Sequence, residues 1–454
     1  MRIVVVGAGK VGRTIAEHLT QEEHEVVVID KDEVALHRCE DTLDVMCVEG
    51  SGANAKTLVE AQVDTADILI AATASDEVNM LCSLMGKRLG AKYTIARIRD
   101  PEYNESLSLL QTELGIDLSI NPERASAQEI SRLLRFPFAS DIESFAKGQV
   151  EMVLFRVAPQ EKIAGIPLWQ LAQSLPDMPR VLFAAAEREG EIFIPGGDFV
   201  FQPGDHVYVT GDVMSVTRFF RFLGKNTAKS RRVMIVGGGR ISYYLARLIV
   251  PMGIYVTLIE HNREKAAKLS EELPQVNVLC GDGTSQELLE QEGLTDMNAF
   301  VCLTDRDEEN LMTGLYAAKQ GVGKVIVKNN RLNYLDIIAD LGLDTVISPR
   351  QITSAGILRY VRALAGSAGT KVEKLFRLMN GRAEALEFIV REGAPYLGKP
   401  LKELTLRKNT LVAMITRKNK VIVPGGNDHL EAGDSVVIMA GERGISDLSE
   451  VIIK

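Results

Sequence analysis

Arg2-Ile-Val-Val-Val-Gly-Ala-Gly-Lys-Val-Gly12 lies near the start of the chain, and 230 positions later it returns as Arg232-Val-Met-Ile-Val-Gly-Gly-Gly-Arg-Ile-Ser242. Each copy is a short β-branched run that breaks at a glycine-rich turn and continues with helical spacing. Val26-Val-Val-Ile-Asp30 matches Val256-Thr-Leu-Ile-Glu260 at the same shift, and Thr73-Ala-Ser-Asp-Glu-Val-Asn79 matches Thr304-Asp-Arg-Asp-Glu-Glu-Asn310. Further on, Pro195-Gly-Gly-Asp198 and Pro203-Gly-Asp205 come back as Pro424-Gly-Gly-Asn427 and Ala432-Gly-Asp434. Landmarks recurring in one order imply a tandem duplication with the plan A–B–A–B. The expected bounds are 1–140 and 232–365 for unit A, and 146–224 and 371–454 for unit B. Residues 225–232, polar and charged, read as a linker between halves, and 366–369 as a short break before the last unit.

Within unit A, apolar runs at 3–6, 26–29, 45–48, 68–71, 94–98 and 118–120 alternate with amphipathic stretches of helix length. Strands buried on both faces and separated by helices make a parallel sheet with right-handed crossovers. The fold class is therefore α/β, with two Rossmann-like doubly wound domains. Unit B, with strand-like runs such as 151–157 and 206–210 punctuated by Pro-Gly turns, reads as a small α+β module. After the sixth run of unit A comes an amphipathic helix carrying Ile130, Leu133 and Leu134 on one stripe; Ile357, Tyr360 and Val361 repeat it. Such a helix either caps its own sheet or packs across to another copy of the unit.

Composition narrows the function. The chain has 454 residues, 46% hydrophobic and 25% charged, which suits three or four soluble domains. Its formal net charge of −9 makes nucleic acid a poor partner. Five scattered cysteines, with no CxxC pair, read as buried thiols in a reducing compartment. Met1-Arg2 runs straight into a strand, which predicts no signal peptide, and no apolar run reaches the ~18 residues of a spanning helix. The expected location is the cytoplasm.

The glycine loops carry the chemistry. Gly7 permits the tight turn, Gly9 lets the backbone approach a phosphate, and Gly12 lets the helix pack closely on the sheet. Free amides and the helix dipole then favour an anion. Asp30 lies 18 residues beyond Gly12, and Glu260 the same distance beyond Ser242, near the spacing of a ribose-binding carboxylate. An acidic ribose ligand repels a 2′-phosphate, so NAD(H) is expected over NADP(H), while ATP and ADP offer the same hydroxyls. Arg97 and Lys328 end matching fifth strands, either meeting phosphate or sitting as rim cations. Asp76 and Asp307 read as turn or helix-cap residues. None of the six histidines recurs at matched positions, so no acid/base constellation is apparent and no catalytic residue is assigned.

The A–B–A–B plan with these residues resembles the TrkA family, peripheral proteins of Trk potassium-uptake systems, with unit A like its RCK nucleotide-binding domain and unit B like the RCK C-terminal domain. The resemblance covers nearly the whole chain. It implies NAD(H), or ATP/ADP at the same sites, on Gly7, Ala8, Gly9, Lys10, Val11 and Asp30, and on Gly237, Gly238, Gly239, Arg240, Ile241 and Glu260. It also implies Thr73 and Ala74, with Thr304 and Asp305, bordering the nucleotide, and Arg97 and Lys328 near the phosphates. Asp282 of Gly281-Asp282 is expected beside the adenine; the first copy departs from that pattern with Gly50-Ser51. A homotetrameric RCK ring beneath a TrkH- or TrkG-type channel subunit, on the inner face of the membrane, is implied as well. The implied role is regulatory, gating potassium uptake. The rival readings are an NAD-dependent oxidoreductase and the regulatory module of another cation channel or antiporter.

Overall fold

Two parallel sheets and two antiparallel sheets alternate along the chain. The computed structural model describes residues 1–104, 107–136, 139–225, 231–330, 343, 345–365, 372–379, 381–441, 444–445 and 447–453. The expected break at 366–369 lies outside these residues, as does most of the 225–232 linker. No described helix is long and apolar enough to cross a membrane.

The first sheet contains β1 (Arg2–Val6), β2 (Glu25–Asp30), β3 (Met46–Glu49), β4 (Ile68–Ala71), β5 (Tyr93–Arg97) and β6 (Leu118–Ile120). They run parallel in the order β3-β2-β1-β4-β5-β6, so the chain reverses its direction of travel across the sheet between β1 and β4. In an open sheet of this kind, ligands enter the crevice at that switch point. Next come β7 (Asp141–Phe145), β8 (Val150–Arg156), β9 (Leu182–Arg188), β10 (Glu191–Phe193) and β11 (His206–Asp212), antiparallel in the order β10-β9-β11-β8-β7. The second half repeats both. Strands β12 (Arg232–Val236), β13 (Tyr255–Glu260), β14 (Asn277–Cys280), β15 (Ala299–Cys302), β16 (Lys324–Lys328) and β17 (Val346–Ile347) take the order β14-β13-β12-β15-β16-β17. Strands β18 (Val372–Leu378), β19 (Ala383–Ile389), β20 (Thr410–Arg417), β21 (Lys420–Ile422) and β22 (Ser435–Ala440) then take β18-β19-β22-β20-β21.

The central strands are short Val/Ile runs because helices cover both faces; Ile3, Val4, Val5, Ile68 and Leu69 are fully buried. The helices that follow the sixth strands cross over. In Pro122–Arg135, Ala127, Ile130, Leu133 and Leu134 join a core containing Ile241, Tyr244, Leu245 and Ile249 of the other half. Reciprocally, Ile357, Leu358 and Val361 of Pro349–Ala365 join Ile15, Ala16 and Leu19 of the first half. Each parallel-sheet unit is thus completed by the other's terminal helix, the second of the two packings open to an amphipathic helix. The antiparallel units meet face to face, sharing a core of Phe145, Met152, Ala185 and Tyr208 with Leu378, Ala385, Met414 and Met439.

Charge reinforces the exchange. Arg362, 7% exposed, pairs with Glu22 at 2.9 Å and with Glu384 at 3.0 Å, and Glu384 is fully buried. One guanidinium thereby joins the first parallel unit, the exchanged helix and the last antiparallel unit. Its fork satisfies both carboxylates with paired N–H donors, which a lysine cannot do. Arg362→Ala leaves Glu384 buried without this partner and is expected to cost about 3–5 kcal/mol, read as a fall in urea midpoint at unchanged slope.

A second polar junction surrounds a cavity of about 430 Å3 among the four units. Glu129, Asp141 and Glu143 converge there, with Arg132 at 2.7 Å from Glu129 and 3.9 Å from Glu143, and Tyr208 donating to Asp141. Burial raises all three carboxyls, Glu129 to about 7. Because the folded state holds protons that the unfolded chain releases above its ordinary carboxyl pKa, this contribution to stability is complete below about pH 4.5. It is lost as pH rises through about 7. Chemical denaturation between pH 5 and pH 8 is expected to show falling stability, less steep in Glu129→Gln.

Candidate functional site

Both glycine loops open into one cleft of about 1550 Å3 between the parallel-sheet units. Gly7 sits at φ +110°, and a Cβ there would lie 3.0 Å from the carbonyl carbon of Ala72. Gly237 repeats this at φ +96°, with the Thr304 amide 2.9 Å from its would-be Cβ. Neither turn accepts a side chain without strain. Gly9 and Gly239 begin the helices Lys10–Gln21 and Arg240–Ile249 in extended conformation, with no side-chain cap. A Cβ at either would meet nothing within 4 Å, so the uncapped first turns face open space. A Cβ at Gly12 would fall 1.8 Å from the Gly7 carbonyl oxygen, whereas Ser242 is buried and its hydroxyl donates to the Gly237 carbonyl.

The carboxylates ending β2 and β13 brace these loops. Asp30 Oδ2 accepts the Ala8 N–H at 2.5 Å, and its Oδ1 accepts the Asp32 N–H at 3.0 Å. Glu260 Oε2 accepts from Gly238 at 2.8 Å, and Oε1 from Asn262 at 2.8 Å. Loop and carboxylate are matched in size. A Cβ at Gly238 would come within 2.8 Å of Glu260 Oε2, whereas the shorter Asp30 leaves room for Ala8.

Of the residues singled out in the sequence, Gly7, Gly9, Lys10, Val11, Asp30, Thr73, Ala74 and Arg97 line the cleft from the first half. Gly238, Gly239, Arg240, Ile241, Asp305 and Lys328 line it from the second. Ala8, Gly237, Glu260 and Thr304 do not line it, the Ala8 amide and the Glu260 carboxylate being engaged in the bracing bonds. Asp282 is exposed, accepting the amide and hydroxyl of Thr284 at 2.9 and 2.7 Å, and does not line the cleft. Ser51, at the matching place in the first half, does. Arg97 lies 3.7 Å from Glu123, and burial lowers its pKa. Lys328 Nζ reaches the exposed Asp305 at 3.1 Å. Arg240 crosses the cleft to Asp100 at 3.3 Å, and Tyr244 Oη donates to the Arg99 carbonyl at 2.9 Å. No histidine or cysteine is among the described residues lining the cleft.

Asp76 and Asp307 are neither caps nor bases in position. Ser75 caps the helix Asp76–Leu89, while Asp76 accepts the amides of Arg99 and Asp100, each at 2.8 Å. Asp307 likewise accepts from Asn330. Both tie the loop after the fourth strand to the loop after the fifth. Sequence reasoning passed over Asn79 and Asn310, although both stand in the matched loop motif. Fully buried Asn79 accepts from the Thr73 amide at 2.8 Å and hydroxyl at 2.7 Å, and donates to the Arg97 carbonyl at 2.8 Å. Asn310 makes the same bonds to Thr304 and Lys328. The signal available was an amide side chain at the same place in both repeats, six residues past a threonine. Asn79→Ala strands these buried groups and is expected to cost about 1–3 kcal/mol by denaturant titration, with Asn79→Asp no better a replacement because the donor to Arg97 is lost.

The comparisons with known proteins fit this geometry. The TrkA-N domain family matches residues 3–122 and 233–349, and the TrkA-C domain family matches 152–224 and 385–452. Trk system potassium uptake protein TrkA homolog 1 of Methanosarcina mazei is 35% identical, with 99% of each chain covered. The TrkA homolog of Archaeoglobus fulgidus is 34% identical over 99% of this chain and 100% of its own. The TrkA protein of Halomonas elongata is 32% identical over 99% and 98%. Among solved structures, the GsuK channel bound to NAD superposes with a TM-score of 0.63 at 18% identity, covering 97% of this chain and 76% of that one, a likeness of fold. With two copies of each domain in the same order and full-length relatives above 30% identity, the chain belongs to the TrkA family of Trk potassium-uptake proteins.

Proposed function

We propose that this chain is a nucleotide-binding regulatory subunit that gates a potassium-uptake membrane protein. The observation that carries the reading is the pairing of two braced glycine loops across one cleft, in units that exchange their terminal helices. A ligand seated on both walls of such a cleft changes the relation of the two halves. Gating then follows as a population shift, limited by the ligand's differential affinity for the two arrangements. NAD(H) is the expected ligand, with ATP and ADP at the same sites. In support stand the pyrophosphate geometry of the loops, the carboxylate at the end of each second strand, and a fold neighbour described as a channel bound to NAD.

In this reading the protein acts without catalysis. Its full-length relatives are named as potassium-uptake system proteins, which supports a regulatory role. The partner is a TrkH- or TrkG-type channel subunit, met from the cytoplasmic side by a homotetrameric ring of these chains. The family names support a membrane partner, and the absence of a spanning helix among the described residues suits peripheral association.

Calorimetric titration with NADH, ATP, ADP and NADPH tests the ligand. Two sites are expected, one weakened at least ~10-fold by Asp30→Ala, which removes a charge-assisted ribose contact from the cleft wall, and the other by Glu260→Ala, which removes the carboxylate that braces the Gly238 loop, with NADPH the weakest ligand. Potassium flux through the reconstituted membrane partner, with and without nucleotide, tests the gating. No change in flux with any bound nucleotide would overturn it.

A further inference from the structure

The two halves present different charge to the shared cleft. The described lining residues of the first half include four basic and four acidic side chains; those of the second include six basic and two acidic. The difference is concentrated at matched positions. At the start of the exchanged helices, Asn121-Pro122-Glu123 in the first half corresponds to Ser348-Pro349-Arg350 in the second, and Glu123 and Arg350 both line the cleft. Glu123 lies 3.7 Å from Arg97. Among the described residues, Glu123 Oε2 and Arg97 Nε are both buried without a hydrogen-bond partner. At that distance, the carboxylate offsets the charge of the one basic residue ending β5 while leaving both groups short of contacts.

The second half has the opposite arrangement. Lys328 ends β16, with Arg350 in place of the carboxylate. The acidic neighbour of Lys328 is Asp305, fully exposed, whose pull is weakened by water. Lys265 and Lys268 add two more cations from Arg263–Glu272, the helix that packs Leu269 against Gly238; the matching residues of the first half, Ala35 and Arg38, do not line the cleft.

We propose that the two sites divide their ligands by charge: the second-half site takes nucleoside polyphosphates, and the first-half site takes a dinucleotide with a single pyrophosphate. This rests on the nucleotide-binding reading above. ATP carries about two more negative charges than NADH near neutral pH, and fixed cations discriminate between them through the Coulomb term. Arg350 and Glu123 set the difference by adding a guanidinium to one phosphate region and a carboxylate to the other.

The test is calorimetry on the full-length protein with ATP and with NADH, in low salt and EDTA, because divalent cations neutralise the phosphates and blunt the contrast. Arg350→Gln is expected to weaken ATP about 5–10-fold at the site that Glu260→Ala removes, and NADH about 2-fold or less. Glu123→Gln is expected to strengthen ATP at the site that Asp30→Ala removes. Glu123→Gln keeps side-chain size and Arg350→Gln shortens the side chain, both at cleft-lining positions, and thermal melting of each variant checks the fold. The proposal is overturned if the ATP-to-NADH affinity ratio at the two sites is equal, or is unchanged by both substitutions in folded protein. Absence of binding by every nucleotide would instead sink the nucleotide-binding reading itself.

Discussion

The exchange of the terminal helices is the constraint on which the rest of the molecule depends. Neither parallel sheet buries its own outer apolar surface with local chain alone. The stripe of Pro122–Arg135 is spent on the second half, and that of Pro349–Ala365 on the first. Fully buried Leu and Ile side chains contribute roughly 1.5–3 kcal/mol each, and here that burial is available only when both halves are assembled. The duplication therefore makes one interlocked body, in contrast to four beads on a string. Arg362 adds a polar lock at the place where three of the four units meet.

Interlocking also makes the site. The glycine loops lie at the carboxyl ends of their sheets, where each strand order reverses, and the exchange turns those ends toward a common cleft. Contacts such as Arg240 to Asp100, and Tyr244 to the Arg99 carbonyl, join the start of one half's first helix to the loop after β5 in the other. That loop is held in turn by Asp76, beside the loop after β4. Through these contacts the start of the second half's first helix is linked continuously to the loop after β4 in the first half. The antiparallel units add a shared apolar core of their own to the assembly.

The two repeats reach one geometry with different residues. Asp30 with Ala8 and Glu260 with Gly238 solve the same loop-bracing problem with different partitions of volume. Gly12 and Ser242 solve the helix-packing problem, one by removing the side chain and the other by giving it a carbonyl partner. Such compensations preserve geometry while the surrounding charge diverges, as at Glu123 and Arg350. Repeats that share a backbone need not share a ligand.

Local physics made much of this legible in the sequence. Glycines at positive φ, carboxylates one strand away and β-branched runs of buried-strand length act over a few residues, so the doubly wound sheets and both loops could be read directly from the chain. Repetition made that reading firmer, because each landmark appeared twice. The amides of Asn79 and Asn310 bridge the ends of two strands, and their importance emerges only when β4 and β5 lie side by side. Asp282 had the right neighbour in sequence, yet its turn with Thr284 places it outside the cleft. Amphipathic periodicity announced that the terminal helices had an apolar face, but the pattern is the same whichever sheet that face covers. Only long-range packing chose the partner, and with it decided that two glycine loops would share one cleft.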